Sequence, residues 1–83
     1  MDIKTIISSA GKERNTIIIS AQEQEKAVET IEVEPYGIRK RDGLELLYCY
    51  DSTIKQVKRY PIPNIISVEK TNNCFSPKWV IEF

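Results

Sequence analysis

Lys58, Tyr60 and Asn64 are the side chains whose types and spacing best suit the binding of an anionic ligand. Alternate residues of a β-strand share a face, so Lys58 and Tyr60 are expected to lie together, and Asn64 follows a sharp turn. A lysine beside an aromatic ring and an amide can hold a phosphate and stack a base. The alternative is that Tyr60 packs in the core while the Lys58 ammonium extends into solvent.

Four aromatic residues provide a second candidate feature, a platform on which bases could stack. They are Tyr36, Tyr48, Tyr50 and Trp79. Tyr48 and Tyr50 alternate with Leu47 and Cys49, which equally suits rings that line the interior of a small barrel. A buried tyrosine hydroxyl still needs a hydrogen-bond partner. We therefore add Tyr48 to the predicted ligand-binding residues Lys58, Tyr60 and Asn64.

A third feature is the run of cations Arg39, Lys40 and Arg41, which comes directly before the dipeptide Asp42-Gly43. Such a run at the tip of a hairpin can contact the phosphates of a nucleic acid. The alternative is an ordinary soluble turn, in which Asp42 offsets part of the charge. We predict a possible nucleic-acid contact at these three residues.

The composition argues against catalysis. The chain has no histidine, which is the commonest general base, and its three glycines are too far apart for a phosphate-binding loop. Cys49 falls within an apolar segment and is expected to be a small buried hydrophobe, although a disulfide with Cys74 stays open. We expect no enzymatic activity, no cofactor and no metal.

Length and charge indicate one small domain over residues 1–83. The chain is 41% hydrophobic and 29% charged, and it contains no apolar run long enough for a membrane span, so we expect a cytoplasmic protein without a membrane contact. Residues 1–34 hold four Lys or Arg against seven Asp or Glu, and residues 35–83 hold eight against five. This polarity either steers an anionic partner or serves solubility alone.

The N-terminal third predicts a helix and a strand. Asp2 is a suitable N-cap and Gly11 a suitable left-handed stop for a helix of about two turns. The β-branched run Thr16–Ser20 predicts a strand that is buried on both faces. The polar segment Gln22–Lys26 predicts an exposed loop or a distorted hairpin connection. The helix has its apolar residues at i, i+3, i+4 and i+7, namely Ile3, Ile6, Ile7 and Ala10.

Strand patterns dominate the middle of the chain. From Thr30 apolar and polar residues alternate, and Pro35 places that part of the strand at an edge or a bulge. Asp42-Gly43 favours a tight primed turn. The run Leu44–Tyr50 that follows is apolar on both faces and predicts a central strand.

The C-terminal part continues this pattern. It predicts strands at Lys55–Tyr60 and Ile65–Val68, separated by a tight turn at Pro61–Pro63, then a loop at Thr71–Asn73 and a closing strand at Trp79–Phe83. One short helix and about six short strands predict a mainly β fold, a small and strongly bent barrel of five to six strands.

The order of these motifs resembles that of the WYL domain over essentially the whole chain. The resemblance rests on Val33–Ile38, on Cys49–Asp51, on Lys58–Ile65, on Val68 and on Phe75–Pro77. It implies an Sm-like SH3 β-barrel with a short N-terminal helix. It also implies a module of bacterial transcription regulators that senses a ligand, often a nucleotide or single-stranded nucleic acid, in some cases in phage defence.

The chain departs from the family at several polar positions. Glu45-Leu46-Leu47 stands where the family has the tripeptide that names it, and Ile31, Lys58 and Asn64 stand where it has arginines. These departures affect the implied ligand more than the implied fold. We therefore expect a divergent, stand-alone, non-catalytic regulatory module. The alternative is a protein-interaction or homo-oligomerisation module with a decayed pocket, including one of phage or mobile-element origin.

Overall fold

A computed structural model describes residues 2–83 as one helix and five antiparallel strands. In sheet order the strands are β4-β3-β2-β1-β5, so β4 and β5 are the edges and the sheet does not close. The predicted mainly β class with a short N-terminal helix is confirmed. The elements in chain order are α1 (Ile3–Glu13), β1 (Asn15–Ala21), β2 (Glu29–Arg41), β3 (Leu44–Asp51), β4 (Gln56–Pro61), a 3₁₀ turn (Ile62–Asn64) and β5 (Ile65–Cys74).

The long strand β2 joins the two halves of the sheet. Its residues 29–33 pair with β1, and its residues 34–41 pair with β3 after a bulge between Pro35 and Gly37. A bulge bends the strand and increases its twist, so the two halves turn towards each other. The alternative of an edge position for Pro35 is wrong, because β2 lies in the middle of the sheet and Pro35 is fully buried at this bulge.

The helix covers the concave side of the bent sheet, packing on β1, β2 and β5. Asp2 caps its N-terminus by accepting a hydrogen bond from the Lys4 backbone N–H at 3.3 Å. Ile7 and Ala10 are fully buried against Ile17, Ile19, Val33 and Leu47. This apolar centre fixes which face of each strand points inwards, and the opposite face of the sheet is directed away from the helix.

The helix ends later than the sequence predicted. It continues past Gly11 to Glu13, and Arg14 takes the left-handed conformation at φ 60°. Gly11 lies inside the helix because the Phe83 ring packs directly on it. A Cβ at position 11 would stand only 2.2 Å from a carbon of that ring. The lack of a side chain at Gly11 therefore allows the Phe83 ring to approach the helix backbone closely, and the sequence position of Gly11 did not indicate this contact.

The predicted turn at Asp42-Gly43 is confirmed. Both residues have positive φ, 52° and 80°, which is the signature of a type I′ hairpin. The turn joins β2 to β3 and holds the pairing of Gly37 with Tyr48 in register. Among the described residues, no helix is long and apolar enough to cross a membrane.

The end of the chain differs from the prediction in two ways. The expected loop at Thr71–Asn73 is part of β5, which pairs with β1 as far as Cys74, and the Oγ1 atoms of Thr71 and Thr16 lie 2.6 Å apart. The expected closing strand at Trp79–Phe83 is reduced to one parallel bridge between Glu82 and Gly37. Residues 75–83, here called the C-terminal segment, are otherwise irregular and lie beside β2.

Candidate nucleic-acid interface

The outer side of β2, β3 and β4 carries arginines and tyrosines together. Tyr48 pairs with Arg59 and Tyr50 with Val57, and these side chains alternate with the buried Leu47 and Cys49. Side chains that are next-but-one on a strand share a face, so Arg39 and Arg41 of β2 join the same surface. We call this surface the basic–aromatic face; it comprises Arg39, Arg41, Tyr48, Tyr50, Val57 and Arg59.

The cationic run at the hairpin tip is divided between two faces. Arg39 and Arg41 lie on the basic–aromatic face, whereas Lys40 pairs with Glu45, whose carboxylate accepts a hydrogen bond from Lys4 of α1. Lys40 therefore belongs to the side of the hairpin nearer the helix. The structure keeps all three side chains exposed, but it aligns only two of them with the tyrosines.

A cleft opens between this face and the C-terminal segment. It encloses about 280 Å³, and Gly37 lies on its β2 side. Tyr48 and Val57 line the cleft from the sheet, and Trp79, Val80 and Glu82 line it from the C-terminal segment. Because Val57 and Val80 are more than half exposed, the cleft is an apolar slot that is open to solvent.

Trp79 is held against two tyrosines. Its ring meets Tyr36 edge-on at 5.2 Å between centroids and lies 5.5 Å from the Tyr50 ring at a tilt. Such pairs stabilise each other beyond the area they bury. Of the four aromatic residues singled out from the sequence, Tyr36, Tyr50 and Trp79 pack together, whereas Tyr48 forms no ring pair within residues 2–83. Tyr36 is buried and supports the others, whereas Trp79 is half exposed.

Tyr36 anchors the C-terminal segment through hydrogen bonds. Its hydroxyl donates to Glu34 at 2.8 Å and accepts from the Lys78 backbone N–H at 3.0 Å. Its carbonyl accepts from the Glu82 backbone N–H at 2.8 Å. Burial and the nearby Glu34 carboxylate raise the pKa of Tyr36 to about 12, so the Tyr36 hydroxyl keeps its proton and its hydrogen bond to Glu34 near neutral pH.

The arginines of the face are arranged around Tyr48. The Arg39 guanidinium lies 5.7 Å from the centre of the Tyr48 ring and also forms an ion pair with Glu82. The positive charges of Arg41 and Arg59 nearby lower the pKa of Tyr48. Within residues 2–83 neither Arg41 nor Arg59 forms an ion pair, so both are available to an anionic partner.

The structure places Lys58 and Tyr60 on the other side of β4, where carboxylates surround the ammonium. Lys58 Nζ lies 3.1 Å from Glu29 and 3.6 Å from Asp51, and the Tyr60 hydroxyl donates to Glu29 at 2.8 Å. The hydrogen bond to Glu29 raises the pKa of Lys58, which keeps the ammonium charged. Its charge is already offset, so it offers a phosphate little net attraction.

Asn64 and Tyr60 share a small hollow of about 140 Å³ beside the β1–β2 loop, which Lys58 does not line. The Asn64 carbonyl accepts a hydrogen bond from the Gln22 backbone N–H at 2.9 Å. The four predicted ligand residues are therefore divided, with Tyr48 at the cleft and the other three on the opposite side of β4. The contact predicted at Lys58, Tyr60 and Asn64 stays a prediction.

Sequence reasoning missed the part played by the C-terminal segment. Glu82 and Arg39 meet across 43 positions, and their meeting depends on the bulge after Pro35 and on the anchoring of Lys78. No local pattern carries that information. Two-residue alternation did place Val57 and Arg59 on the face opposite Lys58 and Tyr60, but it did not indicate that Val57 is exposed.

Comparison with known proteins gives a fold likeness alone. No protein-family model and no curated protein matches the chain. Among solved structures, the chain is similar to proteasome accessory factor B/C (PafBC) of Arthrobacter aurescens, with a TM-score of 0.79 and 18% sequence identity. The match covers 88% of this chain and 12% of that protein, so the same fold forms a small part of a larger protein there.

Proposed function

We propose that this domain is a non-catalytic regulatory module that binds single-stranded nucleic acid, or a nucleotide of it, on the basic–aromatic face. One observation carries the proposal: Arg41 and Arg59, which form no ion pair within residues 2–83, share a face with the half-buried Tyr48, which lines an aromatic cleft. Aromatic rings that stack bases and cations that follow the phosphates are the two components of single-strand binding.

Two further observations support this function. The order of sequence motifs resembles that of a family whose members sense nucleotides or single strands, and the fold is shared with part of PafBC. The proposal includes the setting that the resemblance implies, namely control of transcription or phage defence in the cytoplasm. In this proposal the ligand lies at Tyr48, and Lys58 stabilises the sheet through Glu29.

The test is fluorescence anisotropy with a labelled twelve-nucleotide single strand at low salt. The variant R41Q/R59Q should bind at least tenfold more weakly than the wild type, because each substitution removes one contact between an arginine and a phosphate. A matched control is K12Q/K70Q, which removes the same charge from α1 and β5, away from the face. Equal weakening by both variants would show that only net charge matters, and the absence of any binding by the wild type would end the proposal.

A second candidate function is self-association through β5. This edge strand is ten residues long, and Ile66 on it is 57% exposed. A long open edge with an exposed apolar side chain is a template for pairing with another chain. A second copy of the chain could pair there and cover Ile66. Light scattering should then show a dimer that I66K converts to a monomer. A monomer at every wild-type concentration would contradict this candidate.

A further inference from the structure

Glu82 of the C-terminal segment and Arg39 of β2 place a hydrogen-bond acceptor and a donor side by side, and their contact joins the two walls of the cleft. Their side chains form an ion pair, and both residues line the cleft. The backbone N–H of Glu82 is fixed to the Tyr36 carbonyl, and the Arg39 guanidinium rests near the Tyr48 ring. The pair therefore has a defined position relative to the surfaces on which a base would stack.

From this pair we infer that the cleft selects guanine among the bases of a single strand, an inference that rests on the function proposed above. The Watson–Crick edge of guanine presents the O6 acceptor next to the N1–H and N2–H donors. A carboxylate can accept both donors in a bidentate contact, and an adjacent guanidinium can donate to O6. Glu82 and Arg39 supply these two groups in adjacent positions.

The other bases fit this pair less well. Adenine offers one exocyclic donor group beside an acceptor, and uracil or thymine offers a single donor between two acceptors. Cytosine can give its N4–H to the carboxylate, but it has no second donor for the other oxygen. Guanine alone uses both carboxylate oxygens together with the arginine.

The size of the cleft agrees with a single base. Its volume of about 280 Å³ lies just below the roughly 300–1,000 Å³ that sites for drug-sized molecules enclose. Tyr48 and Val57 on one side and Trp79 and Val80 on the other are suited to the faces of a flat ring. The edge of that ring is then directed to the polar pair, and the strand continues over Arg41 and Arg59.

The test compares five-nucleotide single strands TTXTT that carry a fluorescent label, in which X is guanine, adenine, cytosine, thymine or hypoxanthine. Guanine should bind about tenfold tighter than adenine or thymine, as expected for one bidentate contact. Hypoxanthine lacks the N2 amino group and should fall between guanine and adenine. Binding is measured by anisotropy at low salt.

The variant E82Q separates base selection from general affinity. A carboxamide accepts through one oxygen only, so the guanine-to-adenine ratio should fall to about one. The overall affinity should rise, because a negative charge leaves the face. E69Q is the matched control, since Glu69 lies on β5, pairs with Ile18 of β1 and is exposed. The ratio of guanine to adenine affinity in E69Q should equal that of the wild type. Amide NMR spectra check that both variants fold.

The outcomes distinguish the two proposals. Equal binding of all five strands, a preference for cytosine, or a guanine preference that survives E82Q would each overturn the inference and leave single-strand binding intact. Failure of every strand to bind would overturn both. A guanine preference that is lost in E82Q and kept in E69Q supports the inference.

Discussion

Two buried side chains, Cys49 and Tyr36, and the partly buried Tyr60 give the fold a defined response to alkaline pH. Burial is the main cause that raises the pKa of Cys49, Tyr36 and Tyr60, in each case to about 12. A group whose pKa is higher in the folded state holds its proton longer there than in the unfolded chain. Its stabilisation is present below the unfolded pKa and is lost as the pH rises towards the folded value.

We therefore expect the free energy of unfolding to decrease above pH 9, where the thiol of an unfolded chain ionises, and more steeply above pH 10, where the tyrosines follow. Urea unfolding at a series of pH values measures this. In C49A the decrease should begin only near pH 10. A stability that is constant up to pH 11 would contradict the burial of these groups.

The two cysteines should differ in reactivity for the same reason. Cys49 is 1% exposed and its thiol donates to the Lys58 carbonyl at 3.5 Å, whereas Cys74 is exposed on β5. The thiolate is the reactive form, and burial disfavours it. Iodoacetamide at pH 8 should modify one thiol in the native protein, Cys74, and both in urea. Mass spectrometry of the peptides decides this, and native labelling of Cys49 would refute it.

At the scale of elements, local patterns were sufficient wherever neighbouring residues determine the structure. The apolar run Leu44–Tyr50 located β3, the segment Lys55–Tyr60 located β4, and Asp42-Gly43 located the hairpin between β2 and β3. The patterns failed where a distant residue decides. Gly11 was predicted to end the helix, but it lies within the helix and is in contact with the Phe83 ring. Thr71 was predicted to lie in a loop, but it belongs to β5 and its hydroxyl contacts that of Thr16 on β1.

The candidate site was predictable only in part for the same reason. Arg39, Arg41 and Tyr48 were named from the sequence, the two arginines as part of a cationic run at a hairpin tip and Tyr48 as one of four aromatic residues. The cleft itself depends on the C-terminal segment, which is fixed by Tyr36 and Glu34 over more than forty positions. Likewise, Glu29 and Asp51 offset the charge of Lys58 from separate strands.

The contact between α1 and the chain end makes a prediction at this scale. Alanine is a better helix former than glycine by about 1 kcal/mol, yet G11A should destabilise the domain by about 1–3 kcal/mol because its Cβ overlaps the Phe83 ring. In an F83A background the same change should instead stabilise it. Thermal unfolding of the four proteins measures both effects. A stabilising G11A in the wild-type chain would contradict this packing.

At the scale of the whole molecule, the uneven distribution of charge along the sequence places an excess of cations on one part of the sheet. The excess of cations lies in residues 35–61, which hold six Lys or Arg against three Asp or Glu and form the second half of β2 with β3 and β4, the strands that carry the basic–aromatic face. Such a field attracts an anionic strand to one side of the domain. The net charge of zero conceals this asymmetry.

The salt dependence of binding should report the number of arginine contacts. For single strands, the slope of log affinity against log salt falls by roughly 0.7 for each phosphate contact that is lost. R41Q/R59Q should therefore have a slope that is shallower by roughly 1.4 than that of the wild type. K12Q/K70Q should keep the wild-type slope. Anisotropy titrations between low and physiological salt measure it, and identical slopes for all three proteins would show that these arginines contact no phosphate.

The position of the ligand is tested most directly by an NMR titration of the ¹⁵N-labelled protein with a twelve-nucleotide single strand. The account predicts that the largest shifts occur at the amides of Gly37, Tyr48 and Arg59 and at the Trp79 indole. Shifts concentrated instead around Tyr60 and Asn64, or no shifts at all, would contradict binding at the basic–aromatic face.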